Sequence, residues 1–416
     1  MESWLEIPLE SDFSLYNIPF GIYKQGRGSG RLASRVGDFI VDLSQMQEAR
    51  FFDALPIDDP SVFYEEVLNP FIGLGKTATN AVRGKIIEIF QKENGLLRDQ
   101  PELRDIILKP SSKVQMLMPV KVGDYTDFYS SEYHARNVGA MFRGADNALL
   151  PNWKHMPIAY HGKASSIYIS GTPVLRPKGQ YKLPDSDNPV FGHTKKLDFE
   201  LELAFITGKA TQQGENIPVE KAGEYIFGFV LFNDWSSRDI QAWEYAPLGP
   251  FLSKNFASTI SPWVVTLEAL MPFVIPGPVQ EPPVLDYLKL NGESNFDIDL
   301  EVKLQTEGGM EATLCKTNSK FLYWNVYQQL AHHTVNGCNI NVGDMYASGT
   351  ISGPLPGSYG SLLEITLNGK ELFGLPDGNK REFLEDGDSV IFSGTAGESG
   401  KKVGFGMLVN KVSTKG

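Results

Sequence analysis

The sequence predicts a mainly β protein of α+β class, an antiparallel sandwich or roll preceded by a smaller segment of mixed strands and helices. Three observations carry that reading. From about Met118 onward, strand-like runs recur at spacings of roughly 8–12 residues between Gly, Asn and Asp turns, which suits antiparallel pairing better than βαβ crossovers. The 416 residues include 41 Gly and 26 Pro, a composition that supplies tight turns more than long helices. Helical periodicity is concentrated before residue 118 and in one later stretch, 319–335. The expected division is therefore residues 1–118 and residues 119–416.

In chain order, residues 19–45 read as short strands broken by Gly-rich turns. GRGSGR (26–31) superficially resembles a phosphate loop, but it lacks the Walker lysine spacing and no helix follows, so it reads as a hairpin turn. SVFYEEVL, with Ser61 as N-cap, and TATNAVRGKIIEIFQKE, with Ile86, Ile87, Ile89 and Phe90 spaced for one face, read as helices. The strand candidates that follow are TPVLRP, DFELELAF, YIFGFVLF, SPWVVTLEAL, FDIDLEVKLQT, LLEITLNGK, DSVIFSG and KVGFGMLVNKV. One helix, SKFLYWNVYQQLAHHTV (319–335), interrupts them, capped by Thr317 or Ser319.

Bulk properties exclude several function classes. The net charge of −12 argues against general nucleic-acid binding, which needs a basic face. Two cysteines, Cys315 and Cys338, form neither a disulfide framework nor a zinc site, and read as reduced, buried apolar residues of a cytosolic protein. The N-terminus has no basic and apolar leader, and the longest apolar run, YIFGFVLF, is too short to span a bilayer. A soluble, cytoplasmic protein without membrane or nucleic-acid partners is expected. The G-x-S-x-G elbow, the H-E-x-x-H pair and the C-x-x-C pair are all missing, which removes the common serine-hydrolase and zinc architectures.

Four places hold groups that could do chemistry. In DFELELAF (198–205), alternation puts Asp198, Glu200 and Glu202 on one side of a strand and Phe199, Leu201 and Leu203 on the other. Two glutamates on one strand face sit roughly 6–7 Å apart and repel, so they are either the wet side of an ordinary strand or the holders of something. In residues 122–144, Ser130 or Ser131 can cap a helix starting just after Asp127, on which His134, Val138 and Met141 share a face and Arg143 lies at the end. That histidine is either a core residue or a base awaiting an orienting partner. In residues 225–256 an apolar strand ends at Asn233-Asp234, Ser236 and Asp239 form an S-x-x-D capping signal, and Arg238, Gln241 and Tyr245 project from one helical face, as a site rim or as a solvated surface. In residues 346–367 a Gly-rich bend carries Thr350 and leads into a strand with Glu364 among apolar neighbours, a carboxylate that needs a partner. His332 and His333 point in different directions and read as structural, and His155, His161 and His193 lack metal-ligand spacing. Should Asp127, Glu200, Glu202 and Asp234 converge, they need a counter-charge, and an oxygen-only acidic site suits a hard divalent cation.

Three stretches together, D-F-Y-S-S-x-x-H-A-x-N-x-G-x-M-F-R (127–143), D-F-E-L-E-L-A-F (198–205) and F-N-D-W-S-x-R-D-I-Q-x-W-E-Y-x-P-L-G-P-F-x-x-K (232–254), closely resemble the fumarylacetoacetase family, eukaryotic type. The likeness extends through S-P-W-V-V (261–265) and S-G-T-I-S-G-P (348–354) to G-F-G (404–406), essentially the whole chain. It implies a homodimer, each chain with a small SH3-like N-terminal domain and a large C-terminal β-sandwich roll of the family's own type. It implies calcium held by Asp127, Glu200, Glu202 and Asp234, and a second cation, magnesium or monovalent, near Asp234, Lys254 and Ser258. Ala257 and Ser258 depart from the Gly-Thr pair of the animal enzymes, although serine keeps the hydroxyl.

The implied reaction is hydrolytic cleavage of a carbon–carbon bond in 4-fumarylacetoacetate, giving fumarate and acetoacetate at the end of tyrosine and phenylalanine catabolism. The resemblance assigns His134, oriented by Glu364, as base, with Arg238, Gln241 and Lys254 as oxyanion donors. It assigns Tyr129, Arg143, Tyr160, Gln241, Tyr245 and Thr350 to the dianionic substrate. Two alternatives stand beside it. One is a sister enzyme acting on acylpyruvates or related ketoacids, which would keep the carboxylates but commonly lacks the Arg238/Gln241/Tyr245 set. The other is a non-catalytic calcium-stabilised binding module, against which the joint presence of His134, Glu364 and Lys254 speaks.

Overall fold

A computed structural model describes residues 1–414; the last two residues of the expected C-terminal domain, 415–416, lie outside the described residues. The architecture is α+β and dominated by sheet. The first part of the chain forms a five-stranded antiparallel sheet in the order Leu108–Pro110, Phe39–Asp42, Arg31–Val36, Phe20–Lys24, Gln115–Leu117, with helices alongside. The longest of these, Lys76–Phe90, turns Val82, Ile86, Ile89 and Phe90 inward, as its periodicity predicts. Ser61 is not a cap: Asp59 accepts from the Ser61 N–H, and Pro60 opens a 3-10 turn, Pro60–Tyr64.

The remainder builds two sheets. An eight-stranded sheet runs Ala159–His161, Tyr125–Phe128, Met345–Ala347, Leu201–Thr207, Ile226–Asp234, Ser258–Ile260, Ile167–Ile169, with Val265–Thr266 also pairing to Ile226–Asp234. A five-stranded sheet runs Glu311–Asn318, Asp299–Gln305, Ser389–Ala396, Val403–Ser413, Val174–Leu175. Pairing is mostly antiparallel, but Met345–Ala347 with Tyr125–Phe128, Ser258–Ile260 with Ile167–Ile169, and Val403–Ser413 with Val174–Leu175 are parallel. The purely antiparallel expectation is corrected there, because long connections return the chain to the same sheet edge in the same direction.

The central strands of the eight-stranded sheet, Leu201–Thr207 and Ile226–Asp234, are buried on both faces, which explains the unbroken apolar run of the latter. Phe205, Phe229 and Leu231 pack toward Leu300, Val302, Phe392 and Phe405 of the five-stranded sheet. Ile206, Val230, Phe232 and Ile260 share a second core with Phe20, Ile22, Phe63, Phe71 and Ile86 of the N-terminal part.

Several elements differ from the sequence expectation for local reasons. The stretch 319–335 is not one helix. Asn318 caps a 3-10 turn, Ser319–Phe321, and the helix proper is Val326–Thr334, started by a capping box of Asn325 and Gln328. TLEAL forms the short helix Leu267–Leu270, capped by Thr266. LLEITLNGK is not a strand: Leu362–Ile365 is a helical turn, followed by Leu367 and Asn368 at φ of 48° and 61°. Cys315 is buried as expected, but Cys338 is exposed. No helix among the described residues is long and apolar enough to cross a membrane.

Candidate active site

Strand register assembles the acidic residues. Asp127 lies near the end of Tyr125–Phe128, Asp234 closes Ile226–Asp234, and Glu200 and Glu202 flank Leu201 at the start of Leu201–Thr207. Asp127 pairs opposite Tyr160 and Ala347, Leu201 opposite Asn233, and Asp234 opposite Ser258, so all four carboxylates collect at one end of one sheet. One oxygen from each of Asp127, Glu200, Glu202 and Asp234 lies within 4.8 Å of those of the other three, and all four residues are buried. Alternation along the strand holds here: Leu201 and Leu203 enter the large core while Glu200 and Glu202 turn to the cluster.

Gly349 closes the approach. Its φ is +77°, and a Cβ there would stand 2.1 Å from the Phe128 carbonyl, so only glycine lets this bend lie against the strand carrying Asp127. From that position the Gly349 N–H donates to Glu202 Oε2 at 3.0 Å.

The cluster is only partly neutralised. Lys254 Nζ bridges Glu200 Oε2 and Asp234 Oδ2, at 2.7 Å from the latter. Asp234 also accepts from Tyr160 Oη at 2.7 Å and Ser258 Oγ at 3.1 Å, and Asp127 accepts from Tyr125 Oη at 2.8 Å. Arg238 donates from one terminal nitrogen to Glu200 at 2.8 Å and to Gln241 Oε1 at 3.2 Å, and from Nε to Asp198 at 2.9 Å. Two carboxylate oxygens, Asp127 Oδ1 and Glu202 Oε1, stay buried with no hydrogen-bond partner.

The electrostatics follow. Burial, reinforced by the Asp234 carboxylate, pushes the Asp127 carboxyl well above its ordinary range, and burial with Asp127 and Glu200 does the same to Glu202. At Glu200 burial acts the same way, but Lys254 and Arg238 outweigh it and hold the carboxyl below its ordinary value. Two buried oxygens without partners, in a cluster of carboxylates that repel one another, are an unmet demand for positive charge, which a hard cation satisfies with oxygen ligands alone.

Beside the cluster stands His134, on the helix Glu132–Arg143 whose N-cap is Ser131. The helix begins after a complete strand, Tyr125–Phe128, rather than directly after Asp127. His134 does not lie on a core stripe. Its Nδ1 is 2.7 Å from Glu364 Oε2. Glu364 is held in turn by Asn137, Ser352 and Ser361, each at 2.9 Å. Burial would raise the Glu364 carboxyl, but the His134 ring and these donors keep it below its ordinary value. An ionised Glu364 fixes the tautomer: Nδ1 carries the proton and donates, leaving Nε2 as the proton acceptor. Tyr129 packs edge-on to the imidazole, ring centroids 5.4 Å apart.

The remaining expected contacts divide. The Thr350 hydroxyl is buried without a partner, as is the Arg238 Nη2 donor. Arg143 instead folds back on its own helix end, donating to the Asn147 and Ala148 carbonyls at 3.1 and 2.6 Å. Tyr245 is 59% exposed at the rim. The S-x-x-D cap does not form: Ser237 is the N-cap residue and makes no side-chain cap bond, while Asp239 accepts from Thr194 and the Lys195 N–H. Sequence reasoning missed Tyr125, Asn137, Ser352 and Ser361. Asn137 had a signal, since it lies three residues after His134 on the same helical face.

Comparison with known proteins settles the family. Residues 125–413 match the family model described as fumarylacetoacetate (FAA) hydrolase C-terminal, and residues 16–119 match the one described as fumarylacetoacetase N-terminal. The chain belongs to the fumarylacetoacetase family. The fumarylacetoacetase of Arabidopsis thaliana is 48% identical over 414 residues, 99% of this chain and 98% of that protein. The fumarylacetoacetase of Homo sapiens is 48% identical over 412 residues, with coverages of 99% and 98%. Among solved structures, a fumarylacetoacetate hydrolase from Exiguobacterium antarcticum shares the fold at TM-score 0.54 and 18% identity, covering 96% of this chain and 100% of its own.

Proposed function

We propose that this protein is a metal-dependent hydrolase that cleaves the carbon–carbon bond of 4-fumarylacetoacetate to fumarate and acetoacetate, the closing step of tyrosine and phenylalanine breakdown. The observation that carries the reading is a carboxylate-oriented histidine beside a buried nest of four carboxylates with two orphaned oxygens. The fumarylacetoacetases of plants and mammals, similar along nearly the whole chain, support the substrate.

The donor set fits a hard divalent cation. Asp127, Glu200, Glu202 and Asp234 would hold calcium, with magnesium or a monovalent ion near Asp234, Lys254 and Ser258. When bound, such an ion supplies Lewis-acid stabilisation of the diketone oxygens and of the enolate charge released by cleavage. The protein's own groups do the rest. His134 Nε2 takes a proton from the attacking water while Glu364 stabilises the imidazolium that results. Arg238, whose Nη2 is unpartnered, Gln241 through its amide NH2, and Lys254 present preorganised donors to the tetrahedral oxyanion. The proton held by His134 then passes to the carbanionic leaving group. Thr350, Tyr129 and Tyr160 line the substrate, and Arg143 and Tyr245 at the rim serve its distal carboxylate.

The same family reading assigns residues 1–118 to an SH3-like domain and 119–416 to the catalytic roll, supported by the five short antiparallel strands of the first part. It assigns a homodimer, supported by exposed apolar side chains close together in sequence, Trp243, Leu248 at 96% exposure and Phe251, that a second copy would cover. It assigns a cytoplasmic location. The test is loss of fumarylacetoacetate absorbance on the calcium- and magnesium-loaded protein, with His134→Ala as control. Turnover of acylpyruvates in preference supports the sister-enzyme reading, and no turnover of either with ion bound supports the binding module.

A further inference from the structure

Asp198 has no part in the chemistry above, yet four donors converge on it. It is 0% exposed. Oδ1 accepts from the Phe199 and Leu362 N–H groups, both at 2.8 Å, and Oδ2 accepts from the Leu363 N–H and Arg238 Nε, both at 2.9 Å. Each oxygen thus takes two donors and has no capacity left for an ion. That separates Asp198 from Glu200 and Glu202, which alternation along DFELELAF groups with it.

What it grips matters more than that it is satisfied. Leu362 and Leu363 open the four-residue helix Leu362–Ile365, whose next residue is Glu364. A helix that short does not persist alone, and its first N–H groups need outside acceptors. Ser361 serves the Glu364 N–H at 3.4 Å; Asp198 serves the two before it. Arg238 opens a further helix at the site, Arg238–Glu244, which also carries Gln241. We propose that Asp198 is a positioning residue that locks Arg238 to the helical turn bearing Glu364, so that the orientation of the base and of the oxyanion donor are set from one point. The proposal rests on the hydrolytic reading above.

The test is Asp198→Asn in the full-length, ion-loaded protein. Asparagine keeps the volume but turns an NH2 group toward N–H donors, breaking the lock on one side. The expected result is a fall in kcat of roughly 10²-fold, the scale of one misplaced oxyanion donor, with KM changed less than about threefold. The downfield proton resonance of the His134–Glu364 hydrogen bond, assigned by its loss in His134→Ala, should shift. A folded Asp198→Asn protein with kcat within about threefold of wild type, or with that resonance unmoved, overturns the proposal, since a merely structural residue would leave both unchanged per folded molecule. Inactive wild-type protein would sink the functional reading instead, while the resonance still reports on Asp198. If the asparagine variant does not fold, Arg238→Lys decides by hydrogen exchange. Faster exchange of the segment 360–367, by about tenfold or more, supports the coupling, and unchanged exchange overturns it.

Discussion

Replacing Glu364 by glutamine tests the arrangement at its centre while preserving shape. Glu364 is buried and accepts from His134 Nδ1 at 2.7 Å and from Asn137, Ser352 and Ser361 at 2.9 Å. A glutamine has one oxygen to serve these donors, and its NH2 must face at least one of them. Hydrogen bonds to a charged group are worth about 1.5–3 kcal/mol, so the loss of one such bond should destabilise the protein at pH 7 by about 2–3 kcal/mol, read from urea unfolding. If the amide faces Nδ1, that atom becomes the acceptor and the imidazole proton moves to Nε2, the wrong tautomer for a base. The analogous change in a serine protease triad costs about 10⁴ in kcat, and a loss of that order is expected here. The stability gap has a pH signature. Because the folded Glu364 carboxyl lies below its ordinary value of 4.5, its contribution is present above that pH and is lost as pH falls through the folded value. The wild-type advantage over Glu364→Gln should therefore shrink in acid. A variant with kcat within threefold of wild type would show that Glu364 does not orient the base.

Three further outcomes are expected. Adding calcium to chelator-treated protein should raise Tm and release protons, because Asp127 and Glu202 are pushed up by burial and neighbouring carboxylates in the ion-free state; calcium affinity should rise with pH, and calorimetry in buffers of different ionisation enthalpy that finds no proton release would contradict this. Gly349→Ala places a Cβ 2.1 Å from the Phe128 carbonyl at φ +77°, so a destabilisation of about 1–3 kcal/mol and weakened calcium binding are expected, and an unchanged Tm would mean the bend adapts freely. His333 is pushed down to about 4 by burial, so the unfolded chain binds more protons between pH 6.5 and that value; at 1.36 kcal/mol per pH unit, stability should fall by at most about 3.4 kcal/mol across that window, and His333→Gln should flatten the fall.

The parts of this molecule legible in its sequence are those where local pattern and tertiary role coincide. The Lys76–Phe90 helix, the all-apolar Ile226–Asp234 strand and the paired glutamates of the Leu201–Thr207 edge keep their period because each meets a single consistent environment. The Leu362–Ile365 turn was hidden because its apolar texture matches a strand, while its helical state depends on Asp198, more than a hundred residues earlier in the chain. The break at 322–325 was hidden because helical spacing runs through it, and only the reciprocal bonds of Asn325 and Gln328 mark the true start. Arg143 and Tyr245 lie in motifs that name them, but their side-chain directions depend on contacts no spacing records.

The double burial of the central sheet ties distant parts of the chain to the reacting end. Phe20 and Phe71 press on the same face of the central strands from which Glu202 and Asp234 project, farther from the acidic end, with Phe227, Val230 and Phe232 between. The front quarter of the polypeptide is thus a brace set against the same face of the sheet as the acidic cluster: cut away, it would leave a greasy wall facing water, and a cavity opened within it would loosen the strands whose far tips carry the carboxylates. Inherited damage at such aromatic residues would therefore reach turnover without touching any group that meets the substrate.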